Sequence, residues 1–363
     1  MTVSNSALKK KHDGKEAVKA ILTTLVTAFI AVFGFILLRS SNMGQITTTV
    51  FAIAWGSGSV ILLFYSFNLL TQLFPTNWYN KIIPFVFVSP AIFIMAWYLL
   101  VPTIRTLYLS FLDKSSKSFV GFENYTYVFT DQTMLVSFRN TFLWLVVSTV
   151  FCVVLGLTVA VLADRSKIEK ISKTLIFVPM AISSVGAGVI WKFIYAYRPM
   201  GAEQIGIINA IITHYGVEPK NFLGSPPFNN LFLILIFVWL QTGFAFVVLS
   251  AALKGVPEDV LEAARIDGAK ERTVFFRIII PSIFGSIVTV STTILLAALK
   301  SFDIVYSMTN GLYGTEVLAS QQYKQMFKFL HYGRGSAIAI MILIAVSPVI
   351  VYNLVEFNKR EVF

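Results

Sequence analysis

No Asp, Glu, Lys or Arg occurs between Arg39 and Lys81, and further long uncharged runs follow toward the C-terminus. Such runs leave a chain few folds to choose from. A bilayer core of about 30 Å is crossed by about 20 helical residues, and a backbone buried in lipid must satisfy its hydrogen bonds within its own segment. Eight segments meet that requirement: Ala20 to Leu38, Val50 to Leu70, Ile82 to Ile104, Asn140 to Ala163, Thr174 to Tyr197, Asn230 to Leu253, Ser282 to Tyr306 and Gly335 to Val355. The charged fraction of 13% is about half that of a soluble domain. The expected fold class is an all-α membrane protein with eight transmembrane helices.

Basic residues set the expected orientation. Placing the tail (Lys9, Lys10, Lys11, Lys15, Lys19), Lys81, the loop from Arg165 to Lys173, the segment after Leu253 and the C-terminal tail on one side gathers 17 of the 29 basic residues there. That side is expected to be cytoplasmic, with both termini inside. The first apolar run has 19 residues, longer than a signal-peptide h-region, which argues for a retained span. The net charge of +11 fits basic cytoplasmic loops better than nucleic-acid binding, since no basic patch with interleaved aromatics lies outside the spans. The single cysteine, Cys152, allows no disulfide within the chain. His12, His214 and His331 lie far apart, and no catalytic or metal constellation is expected.

Charge concentrates instead in "EDVLEAARIDGAKERTVFFRIIIPSI", Glu258 to Ile283, between two apolar spans. Pro257 suits a first helical position, Glu258 and Asp259 favour the positive end of the dipole, and Arg265 favours the negative end. Val260, Leu261, Ala264 and Ile266 can form an apolar stripe, and Gly268 stands where the helix must stop. A second short segment, Ala269 to Ile280, is expected to follow before Pro281 opens the next span. A short amphipathic helix with small residues, Ala263 and Ala264, suits docking into a groove on a partner; a solvated connector is the plainer alternative.

Glu262, Ala263, Ala264, then Gly268, then Ile278, Ile279, Ile280 and Pro281 resemble the EAA loop of membrane subunits of ATP-binding cassette importers, with Ile280 in place of the usual leucine. "VPTIRTLYLSFLD", "FVGFENY", "IFVPMAISSVGAGVIWKFIY", "LKSFDIVYSMTNG" and "HYGRGSAIAI" are similar to carbohydrate-importer permeases of the maltose-transporter type, over roughly Ile82 to Phe363. "GVIWKFIYAYRPMGAEQIGIINAI" looks closest to permeases for α-glucosides and glucosyl osmolytes. The resemblance implies two parts: residues 1–81, a tail with two additional spans, and residues 82–363, a six-helix permease core whose coupling loop is 254–281.

It also implies a mechanism. Glu262, Ala263, Ala264, Asp267, Gly268 and Pro281 would couple the permease to a cytoplasmic ATPase. ATP and Mg would bind there, since nothing in this chain reads G-x-x-x-x-G-K-[ST]. The implied partners are a second homologous permease subunit, two copies of the ATP-binding subunit, an extracytoplasmic solute-binding protein and membrane lipid, in a bacterial inner membrane. Ser183, Ser184, Gln241, Thr242 and Phe244 are candidates for the solute pathway by the need for polar and aromatic groups near mid-membrane, and the resemblance implies Ser184, Leu240, Gln241 and Phe244 as pocket-lining positions. Thr292 and Thr293 are candidates by position. Each could equally serve ordinary helix packing.

Charges inside spans carry a cost. Lys192 lies near a span end and can snorkel outward, and Lys300 and Asp303, three apart on one helical face, are expected to pair. Trp78, Tyr79, Trp97, Tyr98, Tyr195 and Tyr197 suit the membrane interface. The rival readings are an importer for a polyol or glycerol-phosphate-type solute, and an ion-coupled secondary transporter. The second would call for buried carboxylates or broken helices at mid-span.

Overall fold

A computed structural model describes residues 14–40, 44–74, 76–164 and 169–361. Lys9, Lys10, Lys11 and His12 of the tail, and Arg165 and Lys167 of the expected cytoplasmic loop, lie outside the described residues. The described chain is helical, with seven helices long and apolar enough to span a membrane, or eight if the bent pair Lys173–Ala181 and Ser184–Ile194 is one span. It divides into two compact units, Met1–Thr103 and Ile104–Phe363.

The first unit holds α1 (Gly14–Ser40), α2 (Gln45–Thr71) and most of α3 (Thr76–Leu109). Gly34 of α1 lets Trp55 of α2 lie against the backbone, and the indole nitrogen donates to the Ile30 carbonyl at 2.9 Å. Phe64 and Phe87 stack at 5.6 Å between α2 and α3. These helices keep most of their apolar side chains outward, as lipid-facing helices do.

The second unit continues through α4 (Glu123–Thr130), α5 (Gln132–Asp164), α6 (Glu169–Phe177), α7 (Ser184–Ile194), α8 (Ile207–His214) and α9 (Asn229–Lys254). Then come α10 (Glu258–Ile266), α11 (Glu271–Val274), α12 (Ile280–Leu299), α13 (Asp303–Met308), α14 (Leu318–Tyr323) and α15 (Tyr332–Glu361). Its core lies where α5, α9 and α12 meet, around Trp144, Leu233, Phe246, Leu249 and Ile294. Gly156 of α5 sits against Ala245 of α9, leaving no room for a side chain. Small residues of this kind let membrane helices approach closely and gain dispersion contacts.

Three expectations are corrected. The fifth span is not one helix: α6 ends at Phe177, a 3₁₀ turn covers Val178–Ala181, and α7 leaves at 106°. Pro179 removes an amide donor, Ile182 is extended, and the Ser183 hydroxyl caps α7 by accepting from the Gly186 amide at 3.1 Å. The seventh span stops at Leu299 rather than Tyr306, with Lys300 at its C-cap and Asp303 opening α13. Tyr195 is buried rather than interfacial, its hydroxyl donating to the Phe232 carbonyl at 3.1 Å.

Candidate functional site

The charged island folds as a helix, a glycine break and a second helical leg. Pro257 takes the N-cap rather than the first helical position, and Glu258 and Asp259 fill the first turn of α10. No residue of α10 is buried; Glu262 and Ala263 are exposed, Ala264 is half-buried, and Ile266 is 85% exposed. The end of α10 is a Schellman turn: the Gly268 amide donates to the Arg265 carbonyl at 3.0 Å and the Ala269 amide to the Ala264 carbonyl at 3.0 Å. Gly268 has φ +80°, and nothing lies within 4 Å of where a Cβ would stand. The requirement for glycine is therefore one of backbone conformation rather than space. Arg265 Nε meets Glu271 Oε1 at 2.8 Å across the break, and that hydrogen bond raises the pKa of the guanidinium.

Beyond the break the second leg does not end before the next span, as the sequence suggested. From Glu271 it runs through a π-turn, Phe275–Ile279, directly into α12. The Ile280 amide reaches back to the Phe275 carbonyl. Pro281 has no amide to donate and its ring would crowd a regular α-turn; the wider π-turn before it makes room. Glu271 to Leu299 is thus one rod of 29 residues. Buried Val274 anchors its lower end.

The pathway candidates are brought together in part. Gly243 of α9 receives the Ile176 carbonyl, which would stand 2.6 Å from a Cβ there, and the 3₁₀ turn packs on α9. The break of the fifth span therefore lies beside the stretch carrying Gln241, Thr242 and Phe244, all half-buried. Ser183 is exposed and Ser184 half-buried at the start of α7. Leu240 turns the other way, into the helix core, at 6% exposure. Thr242 donates to the Val238 carbonyl at 2.7 Å, Thr292 to that of Val288 at 2.9 Å and Thr293 to that of Thr289 at 2.8 Å. Their hydroxyls are satisfied within their own helices. Lys300 and Asp303 stand on either side of the break after α12 and are not within ion-pairing distance of each other, because the continuous helical face that would join them does not exist.

A buried polar network at the other end of the spans was not anticipated. Glu316 and Lys324 form an ion pair at 6% and 9% exposure. Lys324 Nζ also donates to the Asn310 carbonyl at 2.7 Å, and Ser320 Oγ to Glu316 at 2.5 Å. Asn140 of α5 donates to the Gly314 carbonyl at 2.7 Å and the Glu316 carbonyl at 2.8 Å, and Asn229 of α9 to the Tyr313 carbonyl at 2.8 Å. The asparagines at the starts of two apolar runs, Asn140 and Asn229, were the available signal in the sequence.

The described residues are helices of membrane-spanning length with an exposed helix–glycine–helix segment between two of them, the fold class of a polytopic membrane protein. Residues 152–362 match the family described as "Binding-protein-dependent transport system inner membrane component". The chain is 53% identical, over 76% of its length and 99% of the relative's, to the osmoprotective compounds uptake permease protein GgtC of Synechocystis sp.. It is 46% identical to the alpha-glucoside transport system permease protein AglF of Rhizobium meliloti, over 78% of this chain and 84% of that one. A bacterial alginate ABC transporter, crystallised with an alginate pentasaccharide-bound periplasmic protein, contains a chain with the same fold. Its TM-score is 0.65 at 19% identity, covering 76% of this chain and 93% of that one. The chain belongs to this family of inner-membrane permease components of ATP-binding cassette importers.

Proposed function

We propose that this permease translocates a sugar, either an oligosaccharide, an α-glucoside or a glucosyl osmolyte, delivered by an extracytoplasmic binding protein and driven by ATP. The names of the two similar relatives, one for alpha-glucosides and one for osmoprotective compounds, support that cargo. Hydrolysis is assigned to two copies of a separate ATPase subunit holding ATP and Mg, and the pore to this chain with a second homologous permease. The observation that carries the coupling is α10: it buries none of its residues, yet it is joined through Gly268 to a leg continuous with α12. Such a helix has its surface free for a cleft on the ATPase. Movement of that cleft would reach α12 through the Gly268 turn, a rigid joint held by its two backbone bonds and by the Arg265–Glu271 pair. Glu262, Ala263, Ala264 and Asp267 are proposed to make the contact, and both termini are placed on that cytoplasmic side.

The solute pathway is proposed to run past the break before Ser183 and Ser184 and along Gln241, Thr242 and Phe244. A polyol or glycerol-phosphate-type solute is the alternative cargo class. The bent fifth span is a feature that ion-coupled transporters share, but the break residues 178–183 include no carboxylate. Proteoliposomes containing the whole purified complex separate these readings. Uptake of trehalose that requires internal ATP and persists with proton and sodium ionophores supports the proposal; uptake abolished by ionophores and indifferent to ATP overturns it. Mannitol as the competing solute distinguishes the polyol class.

A further inference from the structure

Between α3 and α4 the chain turns back on itself. Leu112 and Phe119 pair as an antiparallel bridge, the Asp113 amide donates to the Ser118 carbonyl at 2.8 Å, and the Val120 amide donates to the Phe111 carbonyl at 2.9 Å. Asp113 closes the tip: its Oδ1 accepts from the Lys117 amide at 2.7 Å and its Oδ2 from the Ser115 hydroxyl at 3.0 Å. The hairpin also has a fixed seat. Buried Asn124 donates from Nδ2 to the Ser110 carbonyl at 2.9 Å and to the Leu112 carbonyl at 2.7 Å. The Tyr332 amide donates to the Lys114 carbonyl at 3.2 Å, and Gly333 of α15 receives the Leu112 carbonyl where a side chain would have no room.

That seat sets the height of the hairpin. The apolar stretch of α3 ends at Leu109 and that of α15 begins at Tyr332. The hairpin follows the first directly and rests on the second, so it lies at a boundary between hydrocarbon and water. On its outside Phe119 is 73% and Phe122 72% exposed. Both rings are braced by Phe111, stacked at 6.3 Å and edge-on at 5.4 Å. Tyr108, three residues before Phe111 on α3, is exposed as well. Aromatic side chains concentrate at the headgroup level of membranes, where an apolar ring meets lipid below and water above. Lys114 and Lys117 at the tip are also exposed, and long stems of this kind carry an ammonium group to the level of lipid phosphates.

We propose that the 111–122 hairpin is a membrane foot, with Phe119 and Phe122 inserted at the headgroup–acyl boundary of the bilayer beside the ends of α3 and α15. The occupant of the exposed aromatic patch is phospholipid. The foot depends on neither the cargo nor the ATPase partner, only on the two spans that place it. A hairpin already fixed by backbone bonds and by Asn124 loses little freedom on insertion, which favours binding.

The test uses the full chain in its purified complex, reconstituted in vesicles of phosphatidylcholine and phosphatidylglycerol. The photoreactive residue p-benzoylphenylalanine, close to phenylalanine in shape, replaces Phe119, Phe122 or Ser118 in separate preparations. After irradiation, the mass of each labelled peptide shows what it has captured. Ser118 is exposed but lies one residue along the strand from Phe119, on the opposite face, so it controls for exposure alone. Phospholipid adducts at positions 119 and 122 should exceed those at 118 by about tenfold or more, as for side chains buried in the interface rather than lying in water. Equal yields at the three positions overturn the foot, as does the absence of any lipid adduct. Capture of another protein chain at 119 or 122 also overturns it, because the patch would then belong to a subunit or partner interface.

Discussion

Buried polar pairs at single positions set the residue-scale expectations. Removing one member of a buried ion pair leaves an uncompensated charge and costs about 3–5 kcal/mol, whereas replacing both by apolar groups of similar size is often neutral. Lys324→Met should therefore lower the thermal stability of the purified permease sharply, and Glu316→Leu with Lys324→Met should recover most of the loss. Differential scanning fluorimetry in detergent checks this; a double variant no better than the single would contradict it. On the proposed pathway, Gln241→Ala removes one neutral hydrogen-bonding group, worth about 1 kcal/mol, so half-saturation for solute uptake should rise roughly fivefold; unchanged uptake would remove Gln241 from the pathway. Gly268 was legible in the sequence because a helix end needs its positive φ locally. Asn140 and Glu316 were not, because their partnership joins residues 176 positions apart. The Lys300–Asp303 pairing failed for the opposite reason: spacing alone assumed a helix that the chain interrupts.

At the scale of elements, the apolar runs predicted the spans well, since lipid burial leaves the backbone few alternatives. They did not predict the interruptions. The fifth span breaks where Pro179 and the Ser183 cap coincide, and the break is fixed by the backbone of α6 entering the space left by Gly243. A methyl group at position 243 would stand 2.6 Å from the Ile176 carbonyl and 3.1 Å from the Phe177 Cα, both backbone atoms that move only with the helix. Gly243→Ala should then cost about 1–3 kcal/mol through overpacking and reduce uptake by displacing the break. A melting temperature and uptake rate equal to wild type would show that α6 yields freely. The second leg of the island, expected as a separate segment, joins α12 because the π-turn accommodates Pro281, a tertiary solution that periodicity does not reveal.

At the scale of the whole molecule, the proposed lever is α10 together with the leg that Gly268 joins to it. α10 has no buried residue and is joined through the Gly268 turn to the leg that continues into α12, while the strapped 309–316 loop lies at the far ends of α9 and α12. What the sequence carried most clearly was the helix–glycine–helix shape of the island, whose residues are contiguous, and what it hid was the anchorage of the 309–316 loop, which only folding assembles. The most direct test is binding-protein-stimulated ATP hydrolysis by the reconstituted complex carrying Gly268→Pro. Proline fixes φ near −65° where the native backbone is at +80°, and it removes the amide that donates to Arg265. The account predicts a complex that assembles and hydrolyses ATP unstimulated but shows neither stimulation nor uptake; stimulation and uptake at wild-type levels would contradict it.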